Sequence, residues 1–150
     1  MRGFTLVELV MVLVLTGVLA VYVGPKLLSS TDFSARGFHD ETLSMLRYAH
    51  KSAIAQRRSV CVTFTASSAT LTLDADQNSA TGGNGCEANL TGPRGEAPGR
   101  ITAGGSVQYA TTPTTVVFDG LGQPGAGQTL QVQGAAGQIV IEPVTGHVHE

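Results

Sequence analysis

Hydrophobic and polar positions change their spacing twice along the chain, and each change predicts a different kind of element. From Phe4 to Val23 nearly every residue is apolar (FTLVELVMVLVLTGVLAVYV), and Glu8 is the one charge. As a helix this run would be about 30 Å long at about 1.5 Å per residue, which matches the hydrocarbon core of a bilayer. Gly24 and Pro25 follow it and predict a helix kink, because proline removes a backbone donor and crowds the preceding turn. The pattern then turns amphipathic. Ala35, Phe38, Thr42, Leu46, Ala49 and Ala53 fall on one helical face, with Leu43 and Ile54 widening it. Ser29, Ser30, Thr31 and Asp32 are capping residues at its start. Asp40 and Glu41 lie early and Arg47, Lys51, Arg57 and Arg58 late, an order that suits the helix dipole, so the helix is predicted to finish near Arg58.

From Ser59 the period falls to two. Val60, Val62 and Phe64 point one way, and Cys61 and Thr63 the other. Strands are predicted at 60–64, 70–73, 106–110, 115–118, 129–133, 138–142 and 147–149, separated by Gly, Pro and Asn turn signals. Residues 78–99, rich in Gly and Pro, predict a long loop. The fold class read from this pattern is α+β: a long N-terminal helix, half membrane-type and half amphipathic, packed on a C-terminal antiparallel β domain. The predicted divisions are 1–3, 4–25, 26–58 and 59–150.

Composition sharpens that division. Charged residues are 13% of the chain, about half the usual share of about 25%, and the net charge of −2 gives no field that would steer nucleic acid. Residues 1–25 are neutral, 26–58 carry +3 and 59–150 carry −5, which leaves electrostatic contact between stacked copies as an expectation.

The apolar run admits three readings. A secretory signal needs a shorter apolar core and a small-residue cleavage site, whereas here the run is long and Val18-Leu19-Ala20 is the nearest approach to such a site. A plain membrane anchor explains the length but not Glu8, a carboxylate costly inside lipid. The string RGFTLVELVMVLVLTGVLA resembles the class III signal of type IV pilins and type II secretion pseudopilins. The resemblance implies cleavage after Gly3, N-methylation of the new amino terminus Phe4, and an assembly role for Glu8 through the Phe4 amine of a neighbouring subunit. Cleavage would create an α-amino group with a pKa of about 7.7–8, cationic at neutral pH, so the pairing is chemically sound. The alternative is that Glu8 pairs within its own chain.

The stretch ARGFHDETLSMLRYAHKSAIAQRRSVCVTF and the tail VVFDGLGQP…IVIEPVTGHVH are similar to the GspH/FimT group of minor pilins and pseudopilins, and look most like the minor pilin of MSHA-type pili. The resemblance implies a pilin-like fold and a structural subunit, held in the bacterial inner membrane by a single pass with a periplasmic C-terminal domain, then moved into a pilus or pseudopilus. Its implied partners are other major and minor pilins or pseudopilins, the prepilin peptidase, the inner-membrane assembly platform and inner-membrane lipid. A GspH-type pseudopilin of a type II secretion system is the alternative. A DNA-binding FimT-like role would need distal cations, and residues 59–150 offer only Arg94 and Arg100, so nucleic acid is not an expected partner. Arg47, Lys51, Arg57 and Arg58 read first as a solvated helix face, and otherwise as a contact for an acidic neighbouring subunit. Outside the cytoplasm Cys61 and Cys86 are expected to form a disulfide; two free thiols or a reactive site are the other readings.

No catalytic group, metal or cofactor is expected. Asp74-x-Asp76-x-Asn78 starts like an EF-hand loop but has Ser79 and Gly85 where such loops need Gly and Glu, so an Asx-type turn is the default and an irregular calcium site the rival. His147 and His149 share a predicted strand face and read as exposed terminal histidines. Nothing forms a phosphate-binding loop, a nucleophile elbow or an acid–base pair, so the chain is not read as an enzyme.

Overall fold

The structure is a computed structural model that describes residues 5–27, 30–75 and 85–150, and within these the side chains of all but 22–27 and 30. Among the described residues two helices precede eight strands, an α+β fold. The chain divides into two compact units, Met1–Ser30 and Thr31–Glu150.

The first unit contains α1 (Leu6–Leu27). Gly24 and Pro25 lie inside α1 rather than beyond its end, because proline disturbs the turn before it and leaves the residues after it free to stay helical.

The second unit opens with α2 (Ser30–Gln56). Ala35, Phe38, Thr42, Leu46, Ala49 and Ala53 are all buried, as the periodicity predicts, and Met45 joins them. Ile54 stays exposed. The helix stops at Gln56, slightly earlier than the charge pattern predicts, through a Schellman motif. The amide of Arg58 donates to the Ala53 carbonyl at 3.2 Å and that of Arg57 to Ile54 at 3.3 Å, with Arg57 in the left-handed region at φ 51°.

The strands are β1 (Val60–Phe64), β2 (Ser68–Leu73), β3 (Ala88–Asn89), β4 (Arg100–Thr102), β5 (Val116–Phe118), β6 (Gln128–Gln131), β7 (Gln138–Ile141) and β8 (Val148–His149). In the first sheet β1 lies between β2 and β5, all antiparallel, with Val60 opposite both Leu73 and Phe118. The far edge of β2 is shared end to end: β4 pairs with Ser68–Thr70 and β3 with Thr72–Leu73. The second sheet is the antiparallel meander β6-β7-β8.

Two sequence expectations change here. Residues 78–99 are not all loop: 85–99 are described and include β3, while 78–84 lie outside the described residues. Between β3 and β4 the chain bulges out and returns. Its neck is closed by Gly99, whose amide donates to the Leu90 carbonyl at 2.7 Å, and by Gly92, where a Cβ would come within 2.7 Å of the Gly99 Cα. Only glycines allow two backbones that close. Second, 106–110 is not a strand; it contributes a single bridge, Tyr109 to Val132. Its partner reverses direction at Gly134 (φ 84°), so the ladder has no room to continue.

Tyr109 is nonetheless central to the core. Its ring centroid lies 4.9 Å from that of Phe38 and 5.6 Å from that of Phe64, a tilted and an edge-on contact. The Thr42 hydroxyl donates to the Phe38 carbonyl at 2.8 Å and has no second proton, so the Tyr109 hydroxyl, 3.0 Å away, donates to Thr42. Burial pushes the Tyr109 pKa up to about 12.

Candidate assembly site

Every described side chain of α1 is exposed, from Leu6 to Val21. Leu6 is 78% exposed, Leu13 64% and Val21 78%. Twelve large apolar side chains on one helix are therefore exposed among the described residues, where a soluble helix would bury at least one stripe. Leu6, Val7, Val10, Met11, Val14 and Leu15 line a shallow apolar groove along it. Among the described residues no helix is long and apolar enough to cross a membrane. The part of α1 with described side chains ends at Val21, about 24 Å from its start at about 1.5 Å per residue, short of a core of about 30 Å.

Glu8 sits in the first turn of α1. Thr5 caps that turn: the Glu8 amide lies 3.1 Å from the Thr5 carbonyl and 3.3 Å from its hydroxyl oxygen. Thr5 and Glu8 have the spacing of a capping box, a local role that the sequence reading missed although T-x-x-E was there to be seen. Among the described residues the Glu8 carboxylate has no ion-pair partner. Gly3 and Phe4, the predicted processing residues, lie outside the described residues.

In the second unit the disulfide is present. Cys61 on β1 and Cys86, just before β3, are joined with Cα atoms 6.0 Å apart. The bond carries Cys61 into the interior, where alternation placed it on the opposite face from Val60 and Val62. Of the cluster Arg47, Lys51, Arg57 and Arg58, Arg47 donates to the Val148 carbonyl in β8 at 3.0 Å and Arg58 to the Ala75 carbonyl just after β2 at 3.2 Å, so two of the four brace the β domain rather than face solvent alone. Arg94, at the tip of the bulge between β3 and β4, pairs with Glu41, whose hydrogen bond and charge raise the guanidinium pKa above its ordinary value. The Tyr48 hydroxyl donates to the Thr91 carbonyl at 2.8 Å and straps the same bulge to α2.

Asp74 is buried, while Asp76 and Asn78 lie outside the described residues. The His147 and His149 rings stack with centroids 5.5 Å apart. The pKa of His149 is raised, first by the Glu150 carbonyl 2.9 Å from Nδ1 and then by Glu142, whose Oε1 is 3.0 Å from Nε2. The structure also brings His39, Asp40 and Glu150 together. No sequence signal linked a mid-helix histidine to a residue more than a hundred positions away.

A family model described as type II transport protein GspH matches residues 40–145. The chain belongs to this GspH family. A second model, the prokaryotic N-terminal methylation motif, matches residues 1–23, a range that contains Gly3, Phe4 and Glu8. No curated protein and no solved structure matches the chain. The two family matches make it a pilin-type or pseudopilin-type chain with a prepilin-like amino terminus. The GspH match covers most of α2 and every strand but β8, and the methylation motif covers most of α1, so the two units carry separate signatures.

Proposed function

We propose that this GspH-family chain is a non-catalytic filament subunit, a minor pilin of an MSHA-like type IV pilus. In this reading the inner membrane stores it as a single-pass protein: the apolar run of residues 4–23 spans the bilayer, and the β domain lies in the periplasm. The prepilin peptidase cuts after Gly3, Phe4 is methylated, and the assembly platform extracts the subunit into a fibre among other pilins. Gly24 and Pro25 give α1 a point of bending as it leaves lipid. The observation that carries the reading is α1 itself: an apolar helix exposed all round with one carboxylate, Glu8, in its first turn. Lipid covers such a surface before assembly, and neighbouring helices cover it afterwards. Glu8 and the Phe4 amine are each costly in lipid and neutralise one another when subunits meet.

The mature amino terminus tests this directly. Mass spectrometry of protein from the native membrane is expected to find Met1–Gly3 removed and Phe4 methylated. A retained Met1 would overturn the reading in favour of an ordinary anchor. Glu8→Gln is expected to be cleaved and inserted normally but to enter filaments poorly. The family description favours a second reading, a pseudopilin of a type II secretion system. Co-purification of the mature chain with pilus rather than secretion subunits separates the two. Of the two cations in 59–150, Arg94 is held by Glu41 and the Arg100 guanidinium lies 3.4 Å from the Ser68 hydroxyl, which supports leaving nucleic acid out of the partners.

A further inference from the structure

Outside α1, the large apolar side chains left exposed among the described residues are Phe33 at 83%, Ile54 at 45%, Leu121 at 79% and Val144 at 70%. Three of the four share one end of the second unit. Ile54 lies near the end of α2, Leu121 in the turn between β5 and β6, and Val144 in the hairpin between β7 and β8. These elements meet at Gly122. A Cβ there would sit 2.7 Å from Ile54 Cδ1, and a Cβ at Gly146 would collide with the Gly122 carbonyl oxygen.

Both turns are firmly built. Asp119 Oδ1 accepts the amides of Leu121 at 2.9 Å and Gln123 at 2.8 Å, and the Asp119 carbonyl accepts that of Gly122 at 2.8 Å. In the hairpin the Gly146 amide donates to the Glu142 carbonyl at 3.0 Å and the His147 amide to the Thr145 hydroxyl at 3.2 Å. Turns favour Gly, Asn, Asp and Ser, yet these two display Leu and Val to water. Apolar side chains on ordered backbone lose little freedom when covered, which suits them to anchor a contact.

The fourth residue indicates what covers them. Phe33 stands in the first turn of α2, at the opposite end of the helix from Ile54. The two are about 31 Å and just under six turns apart, so they project within about 60° of each other around the axis. A second copy shifted by about that length along α2 brings its Phe33 over Ile54, Leu121 and Val144. The charges agree. Asp32 beside Phe33 is exposed, as is Arg57, whose backbone packs against Gly120 in the Leu121 turn. Neither has an ion-pair partner among the described residues. Arg36, one turn after Asp32, and Asp119 in the Leu121 turn offer a second pair of opposite sign.

We infer that Ile54, Leu121 and Val144 form a docking platform for the Phe33 end of α2 in a second copy of this chain. The two surfaces differ, so the contact is heterologous, and a shift along the helix with a small rotation repeats without closing into a ring. The inference rests on the filament reading and names a head-to-tail contact within it.

The test uses the full chain expressed with its native assembly machinery, carrying Phe33→Cys together with Leu121→Cys. No described cysteine is free, so the two introduced thiols are the ones a short bismaleimide reaches, and it cannot bridge about 31 Å within one chain. Cross-linking is expected to give a ladder of dimers, trimers and longer products of this chain alone on a denaturing gel. Phe33→Cys or Leu121→Cys by itself should give none, and dimers from either would overturn the head-to-tail arrangement. Adding Asp32→Arg should lower the ladder about fivefold or more, and combining it with Arg57→Asp should restore it. All these substitutions change exposed side chains, so circular dichroism should match the parent. A missing ladder in chains that carry the methylated Phe4 terminus would overturn this contact and leave the filament reading standing. Links to a different protein in place of the ladder would do the same. A retained Met1 would overturn both.

Discussion

The two helices are similar in length and opposite in what they do with their apolar residues. α2 gathers Ala35, Phe38, Met45, Leu46, Ala49 and Ala53 onto one face and buries it under the strands. α1 spreads its apolar residues over every face and buries none that is described. Periodicity, not hydrophobicity, marks which helix belongs to the fold. A striped helix finds its partner within the chain, and an unstriped one must find it outside. The largest test of that contrast is a matched pair of truncations. Phe38→Ala is expected to destabilise the second unit by about 3–5 kcal/mol, from lost burial and the cavity left beside Tyr109. Leu13→Ala, which removes an equally apolar side chain, should leave the denaturation midpoint of that unit unchanged. Equal effects would erase the distinction.

The disulfide sharpens the comparison next, since only the second unit has one. Replacing both Cys61 and Cys86 by Ser opens a link across a sequence separation of 25 and is expected to cost roughly 3 kcal/mol in denaturant titration. A smaller loss comes from the polar contact inside the α2 face. Tyr109→Phe removes the donor to Thr42 and should cost about 0.5–1.5 kcal/mol. The same hydroxyl sets a pH effect of definite sign. Its pKa is about 12 in the fold against 10.0 in the open chain, so the unfolded state ionises first. Stability should fall as pH rises above the lower value, and Tyr109→Phe should lack that part of the fall. The smallest effect is expected at Arg57, which holds φ 51° without being glycine. Arg57→Gly relieves a strain of about 1 kcal/mol and should raise the melting midpoint slightly, provided that the bond from Arg58 to Ala53 persists.

α1 is legible in the sequence as an unbroken apolar run, and α2 and most strands are legible because each has a period longer than its exceptions. The α2 stripe and the alternation Val60, Val62, Phe64 are such signals. β3 and β4 were missed because neither is long enough to alternate; they exist because β2 has an open edge for them to pair with. The strand expected at 106–110 shows the reverse error, since its alternation is real and Val107 and Tyr109 are buried, but the ladder partner turns away. Glu8 was legible from its cost in an apolar run, whereas its capping partner Thr5 went unread because the apolar run, not the T-x-x-E spacing, dominates that segment. The cluster of His39, Asp40 and Glu150 was not legible, because only the folding of β8 back toward α2 makes neighbours of them.

The position of Cys61 has a mechanical consequence. Tension drawn from the amino-terminal helix would enter the β domain at Val60, in a strand braced on both sides by β2 and β5. One residue later the covalent link to Cys86 carries the load across. Residues 62–85 then lie on a slack branch, so β2 would feel no pull along its own chain. Any force applied between α1 and a point beyond Cys86 would be met by one covalent bond before it could peel that strand from the sheet.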